Sequence, residues 1–190
     1  MPPPPPTAAE RGIEVRQRLL RAAVELIGEV GTQSVSTRLL AERAGVRPGL
    51  VHYHFASLPA LLRQAAMGAM RPLLTEGTAA FTAADSPAEG AELLLRQLDG
   101  YTGRDPQSLL AVEVYLSSAR DPELRAALSG LVAEFREAIA AALDSAGHPD
   151  PAGAAATLAA LLDGFVLHKG LSPELTADDV IPTVRHLMQP

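Results

Sequence analysis

At 190 residues, 47% of them hydrophobic but only 4% aromatic, the chain is long enough for one or two domains packed with leucine, valine and alanine. It has no cysteine, which excludes disulfides, thiolate metal sites and thiol nucleophiles. Its net charge of −6 argues at first against a nucleic-acid partner, yet residues 1–64 carry eight arginines against five glutamates, a net +3, leaving −9 for the rest. A basic end on an acidic body suits a DNA reader carrying a separate non-DNA domain. No run is expected to approach the roughly 20 apolar residues that span a bilayer. MPPPPPTAAE lacks the pattern of a signal peptide, so a cytoplasmic location is expected.

In chain order, residues 1–7 form a proline tract expected to be a disordered arm. A helix follows over Ala8–Val30, with Ile13, Leu20, Val24 and Ile27 on a buried stripe widened by Leu19, Ala23 and Leu26. Gly31 ends it, and Val35 packs the loop beyond. Ser36 or Thr37 caps a second helix whose apolar positions are Leu39, Leu40 and Ala44. Gly45 suits a left-handed helix end, Val46 tucks the turn inward, and Pro48 is tolerated in the first turn of a third helix, Pro48–His54. Two short helices about a tight turn make a helix-turn-helix, the unit whose second helix enters the DNA major groove.

On that unit Arg47, Leu50, His52 and Tyr53 are expected to face DNA, with Ser36, Thr37 and Arg38 at phosphates. Pro48 and Gly49 complete the candidate set. Arginine and histidine donate to phosphate or guanine edges, and the tyrosine hydroxyl to phosphate. His54 and Phe55 are expected to pack the domain. Residues two apart on a helix point about 200° apart, so His52 and His54 cannot chelate one metal ion. No metal site or cofactor is predicted.

Downstream, Ser57 caps a long helix that Pro72 should kink or end. Asp85-Ser86-Pro87, Asp105-Pro106, Asp121-Pro122 and Asp150-Pro151 each place a capping side chain before a proline suited to the first helical turn. They open helices reaching about Tyr101, Leu116, Ala146 and Gly170, and a last helix covers Ala177–Met188. No strand pattern occurs, so the class is all-α.

Ser36, Leu40-Ala41, Ala44-Gly45-Val46, Gly49 and His52-Tyr53-His54-Phe55, followed by Leu61-Leu62, resemble the TetR family of bacterial regulators. The motif covers about Ile13 to Leu62, and LLDGFVLHKGL also resembles the C-terminal domains of its BetI-like branch. Two positions depart from the pattern: His52 stands for the usual Tyr, and Leu58 for a Lys that often holds a DNA phosphate. The resemblance implies an N-terminal three-helix DNA-binding domain over 8–64 and a larger C-terminal helical domain over 65–190 for ligand binding and dimerisation. It implies a homodimer through helices about 122–146 and 151–170, a palindromic double-stranded operator, and release by a small-molecule effector, with no membrane partner. The last of those helices is rich in alanine and glycine, which permits close helix packing.

Effector-site candidates are the polar groups interrupting apolar helices of the body: Arg96, Tyr101, Glu113, Tyr115 and His168, alongside Gln97 and Asp163. Of Glu113 and Tyr115, one is expected to look into a cavity. No Gly-x-Ser-x-Gly, phosphate-cradling glycine loop or His-Glu-x-x-His occurs, so no catalytic residue is predicted. The alternative to a regulator is a helical protein-interaction module that uses the helix-turn-helix only as scaffold.

Overall fold

The punctuation of the sequence sets the helix starts. In the computed structural model, which describes residues 7–189, the first helix α1 (Ala8–Val30) opens on a capping box: Thr7 Oγ1 accepts from the Glu10 N–H, and Glu10 Oε2 accepts from the Thr7 N–H at 2.6 Å. Thr7, expected in the arm, is therefore part of a helix cap; the rest of the proline tract lies outside the described residues. Ser36, Ser57 and Ser86 cap α2 (Thr37–Ala44), α4 (Leu58–Thr82) and α5 (Pro87–Asp99). Asp105, Asp121 and Asp150 cap α6 (Pro106–Ser118), α7 (Pro122–Ser145) and α8 (Pro151–Leu171), each followed by proline. Between them α3 spans Gly49–His54, and α9 (Ala177–Leu187) closes the chain. Among the described residues there is no strand.

Two expectations are corrected and a third is narrowed. Ile13 is not on the buried stripe of α1 but 60% exposed; burial begins at Leu19 and continues through Ala22, Ala23, Leu26 and Ile27, where other helices cover α1. Of the two outcomes expected at Pro72, a kink or an end, the end does not occur, for α4 runs through it to Thr82. The proline ring faces the carbonyl four residues earlier, that of Gly68, an exposed position where an added Cβ would meet nothing within 4 Å. Finally, α8 is by length and composition apolar enough to cross a membrane, with mean hydropathy 1.3 over 18 residues. Only 28% of that window is buried within the chain.

Packing divides the molecule into two cores that do not follow the helix order. One joins α1, α2, α3 and the first half of α4 to Leu110 and Val114 of α6 and to Leu124, Leu128 and Leu131 of α7. The other joins Phe81, at the far end of α4, to α5, α8, α9 and the second half of α7. The helix-turn-helix is thus one continuous apolar body with α6 and the start of α7. Gly28 marks how close that union is: a Cβ there would lie 2.8 Å from the carbonyl oxygen of Pro106, so α1 and the start of α6 meet backbone to side-chain-free backbone. At the other end Lys169, 7% exposed, donates at 2.6 Å both to the Asp99 carbonyl and to Asp99 Oδ1, while the Ala177 N–H donates to the same carboxylate. That ties the ends of α5 and α8 to the start of α9.

Candidate DNA-binding face and effector cavity

Local rules build the recognition helix. The Ser36 hydroxyl accepts from the Leu39 N–H at 3.2 Å, and Gly45 takes the left-handed conformation at φ 63° that ends α2. The turn then delivers α3 with Val51 fully buried and Phe55 just beyond it at 7% exposure. Those two anchors leave the opposite face outward. Tyr53 is 80% exposed, and Arg47, Pro48, Gly49 and His52 are exposed beside it, with Leu50 half-buried. Ser36 and Arg38 are exposed and Thr37 half-buried at the start of α2. His54 is half-buried and meets Tyr53 edge-on at 5.0 Å, in keeping with a packing role.

The arginines of this end divide into two sets, a division the sequence does not reveal. Arg18 donates to the carbonyls of Ala44 and Gly45, fastening α1 to the end of α2. Arg43 pairs with Glu29 at 2.7 Å and Glu25 at 3.3 Å, whose carboxylates raise its pKa further above the usual guanidinium range. Arg63 bridges Asp121 and Glu123 at the start of α7, and Arg16 donates to Gln64 while lying over the Phe55 ring. Arg38 and Arg47 make no such contact with the described residues, so their charges stay available to a phosphate backbone. Gly49 behaves alike: a Cβ there would meet nothing within 4 Å, so nothing in the protein requires glycine at that point.

The body holds a cavity of about 480 Å³ lying between the two cores. Met70, Ala111 and Val132 bound it from the core that carries the helix-turn-helix, and Leu94, Phe135 and Leu162 from the other. Of the candidates read from sequence, Tyr101 and Tyr115 line it, as do Gln97 and Asp163. Arg96, Glu113 and His168 do not. Arg96 lies on the surface between Glu92 and Asp178, and His168 is exposed on α8. Glu113 points the other way along α6, accepting from the Thr32 N–H at 2.9 Å and from the Ser117 hydroxyl at 3.2 Å. Since Ser117 spends its proton on Glu113, Thr32 donates to Ser117 across 2.7 Å. One face of α6 therefore borders the cavity while the other is hydrogen-bonded to the loop that leads into the helix-turn-helix.

At the rim the Tyr115 hydroxyl donates to Asp163 Oδ2 at 2.8 Å. Desolvation raises the Asp163 pKa, opposed by that hydrogen bond; burial, then the adjacent carboxylate, raises the Tyr115 pKa as well. Among the described residues no group of three histidine or acidic side chains has the geometry of a metal site.

Set beside known proteins, residues 85–190 match the model of the tetracyclin repressor-like C-terminal domain, and residues 19–65 that of the bacterial regulatory proteins of the tetR family. The chain belongs to the TetR family of transcriptional regulators. BetI of Agrobacterium fabrum, an HTH-type transcriptional regulator, is 30% identical over 160 residues, covering 82% of this chain and 77% of its own. The TetR-like fold recurs in the transcriptional regulator SCO7518 of Streptomyces coelicolor A3(2), with TM-score 0.76 and 26% identity over 93% of this chain and 99% of the other. It recurs also in the multidrug binding protein EbrR complexed with proflavin, with TM-score 0.64 and 31% identity over 91% of this chain and 99% of the other. The helix-turn-helix motif and the all-helical body thus belong to one TetR-family architecture.

Proposed function

We propose that this TetR-family regulator is a cytoplasmic homodimeric repressor and not an enzyme, gripping a palindromic operator through residues 8–64 and binding an effector and its twin through residues 65–190. The observation that carries the DNA assignment is the outward face of α3, where Tyr53 and His52 stand beside the unpaired Arg47 over the buried anchors Val51 and Phe55. Arg47, His52, Tyr53 and Leu50 read the groove, Ser36, Thr37 and Arg38 hold phosphates, and Pro48 and Gly49 let the leading turn approach the backbone. In the dimer two such helices sit roughly 34–36 Å apart, in successive major grooves.

The uncovered apolar faces of α7 and α8 support the dimer. Ala126, Gly130 and Ala133 on α7, and Ala160, Gly164 and Leu167 on α8, recur at helical spacing and are largely open, and a Cβ at Gly130 or Gly164 would meet nothing within 4 Å. A second copy packing there would explain both the open glycines and the apolar exposure of α8. The effector enters the cavity between the cores. The proflavin held by the relative EbrR supports a small organic molecule as the occupant. By preferring one arrangement of the two cores, the effector shifts the population away from the head spacing that fits both half-sites.

The test of the DNA assignment is fluorescence anisotropy of the purified protein with the DNA upstream of its own gene, titrated against salt and random competitor. Tight, competitor-resistant binding with a steep salt slope is expected. Weak binding, equal on specific and random DNA and insensitive to salt, would instead favour the helix-turn-helix as mere scaffold.

A further inference from the structure

The cavity's chemistry narrows its occupant. From α4, α5 and α7, to which Leu73, Leu98 and Phe135 belong, its lining is apolar apart from the neutral amide of Gln97, and those three helices contribute no titratable group to it. The titratable groups that face it are Tyr101, Tyr115 of α6 and Asp163 of α8; no arginine, lysine or histidine lines it. Asp163 has one partner, the Tyr115 hydroxyl, and no cation beside it. An anionic occupant would meet an uncompensated carboxylate at the exposed rim and no basic group to neutralise its own charge. A cation would be neutralised by Asp163 and could lie against the electron-rich faces of the tyrosines. The volume, about 480 Å³, falls in the range of pockets for drug-sized ligands, so the charged group needs a bulky apolar body attached to it.

We infer that the effector is a hydrophobic organic monocation, its charge held at the rim by Asp163 with Tyr115 and its apolar body filling the space between Met70, Leu94, Phe135 and Leu162. This rests on reading the cavity as the effector site. Tyr115 positions the carboxylate; Asp163 carries the charge selection. Asp163 is exposed to solvent at the rim yet partly desolvated by the apolar wall, which raises its pKa, and a cation there restores the stabilisation that this desolvation removes from the carboxylate.

Tetraphenylphosphonium and tetraphenylborate, nearly identical in shape and opposite in charge, provide the test. Each is titrated into the full-length protein by calorimetry, and into the protein–operator complex by anisotropy. Tetraphenylphosphonium is expected to bind at least about tenfold more tightly than tetraphenylborate and to release the operator. Asp163→Asn should remove that preference, and Asp163→Glu should retain it, which separates loss of charge from loss of fold. Equal or tighter binding of tetraphenylborate would overturn the cation assignment, and its release of the operator would leave the effector cavity standing. Failure of both ions to bind protein that still holds its operator would overturn the assignment too. Binding of the cation without operator release would uphold the site but contradict its effector role.

Discussion

The helix-turn-helix and the cavity handle charge in opposite ways. In the first, buried Val51 and Phe55 force a polar face outward, and every arginine not tied to the protein points at solvent. In the second, one carboxylate stands at the rim of a space walled by leucines, methionine and phenylalanine, and no basic group faces it. A surface made for a polyanion needs mobile, hydrated cations, whose worth is set by salt. A largely apolar pocket needs few charges, and the sign of each one it holds selects its ligand. Helix α6 serves both regions: its Ala111 and Tyr115 face the cavity while Glu113 and Ser117 bind the loop before α2.

The largest effect should come from the interface on which both regions depend. Ala160→Glu with Gly164→Glu, at open positions of α8, should convert the dimer to monomer in analytical ultracentrifugation. Operator affinity should then fall by more than about a hundredfold as one half-site is lost. An intact dimer would move the interface elsewhere. Leu161 is a poorer probe, because it packs partly against the C-terminal core.

Next in size is a contrast between two arginines four residues apart. Arg47→Ala should cost operator binding about 1–3 kcal/mol, roughly five- to a hundred-and-fiftyfold, with the melting temperature unchanged. Arg43→Ala, which loses only exposed ion pairs with Glu25 and Glu29, should change operator affinity less than about threefold. Equal effects would mean that the division of arginines has been misjudged.

Gly49→Ala sharpens the contrast through opposite signs. Helix propensity predicts a gain of about 0.5–1 kcal/mol in stability, since the new methyl meets nothing in the protein. Operator affinity should nonetheless fall severalfold, because the methyl intrudes where DNA approaches. A gain in both would place Gly49 away from the DNA.

The smallest effect concerns the start of α6. Burial opposes ionisation of Asp105, but hydrogen bonds from Ser108 and Thr102 outweigh it and hold the pKa at about 2. A carboxylate with a lowered folded-state pKa stabilises above its unfolded value, near 3.8, and that contribution is lost as the pH falls towards 2. Asp105→Asn should therefore flatten the loss of stability between those two values in acid unfolding monitored by circular dichroism.

Much of the first region was legible because its rules are local. Ser36, Gly45 and Pro48 act within a few residues of themselves, and the observed α1 and α2 match the expected boundaries. The division between Arg43 and Arg47 was not, since it depends on Glu25 and Glu29 lying across the fold from α2. The cavity was less legible still. Its walls come from α4 through α8, and α8 is apolar on every side, so no periodicity tells Asp163, at the cavity, from His168, outside it. Glu113 and Tyr115 stood out as interruptions of an apolar run, yet only the packing of α6 between α1 and the cavity decides which faces which.

The central claim is that occupancy of the cavity between the two cores changes the spacing of the DNA-binding heads. The absence of cysteine allows a single spin label at Glu42→Cys, on the exposed side of α2, in the dimer. Electron–electron distance measurement would compare the protein free, on its operator, and with Ala111→Trp filling the cavity. The account predicts that filling moves the inter-head distance away from the operator-bound value and weakens operator binding together. An unchanged distance and affinity in a folded protein with a filled cavity would contradict it.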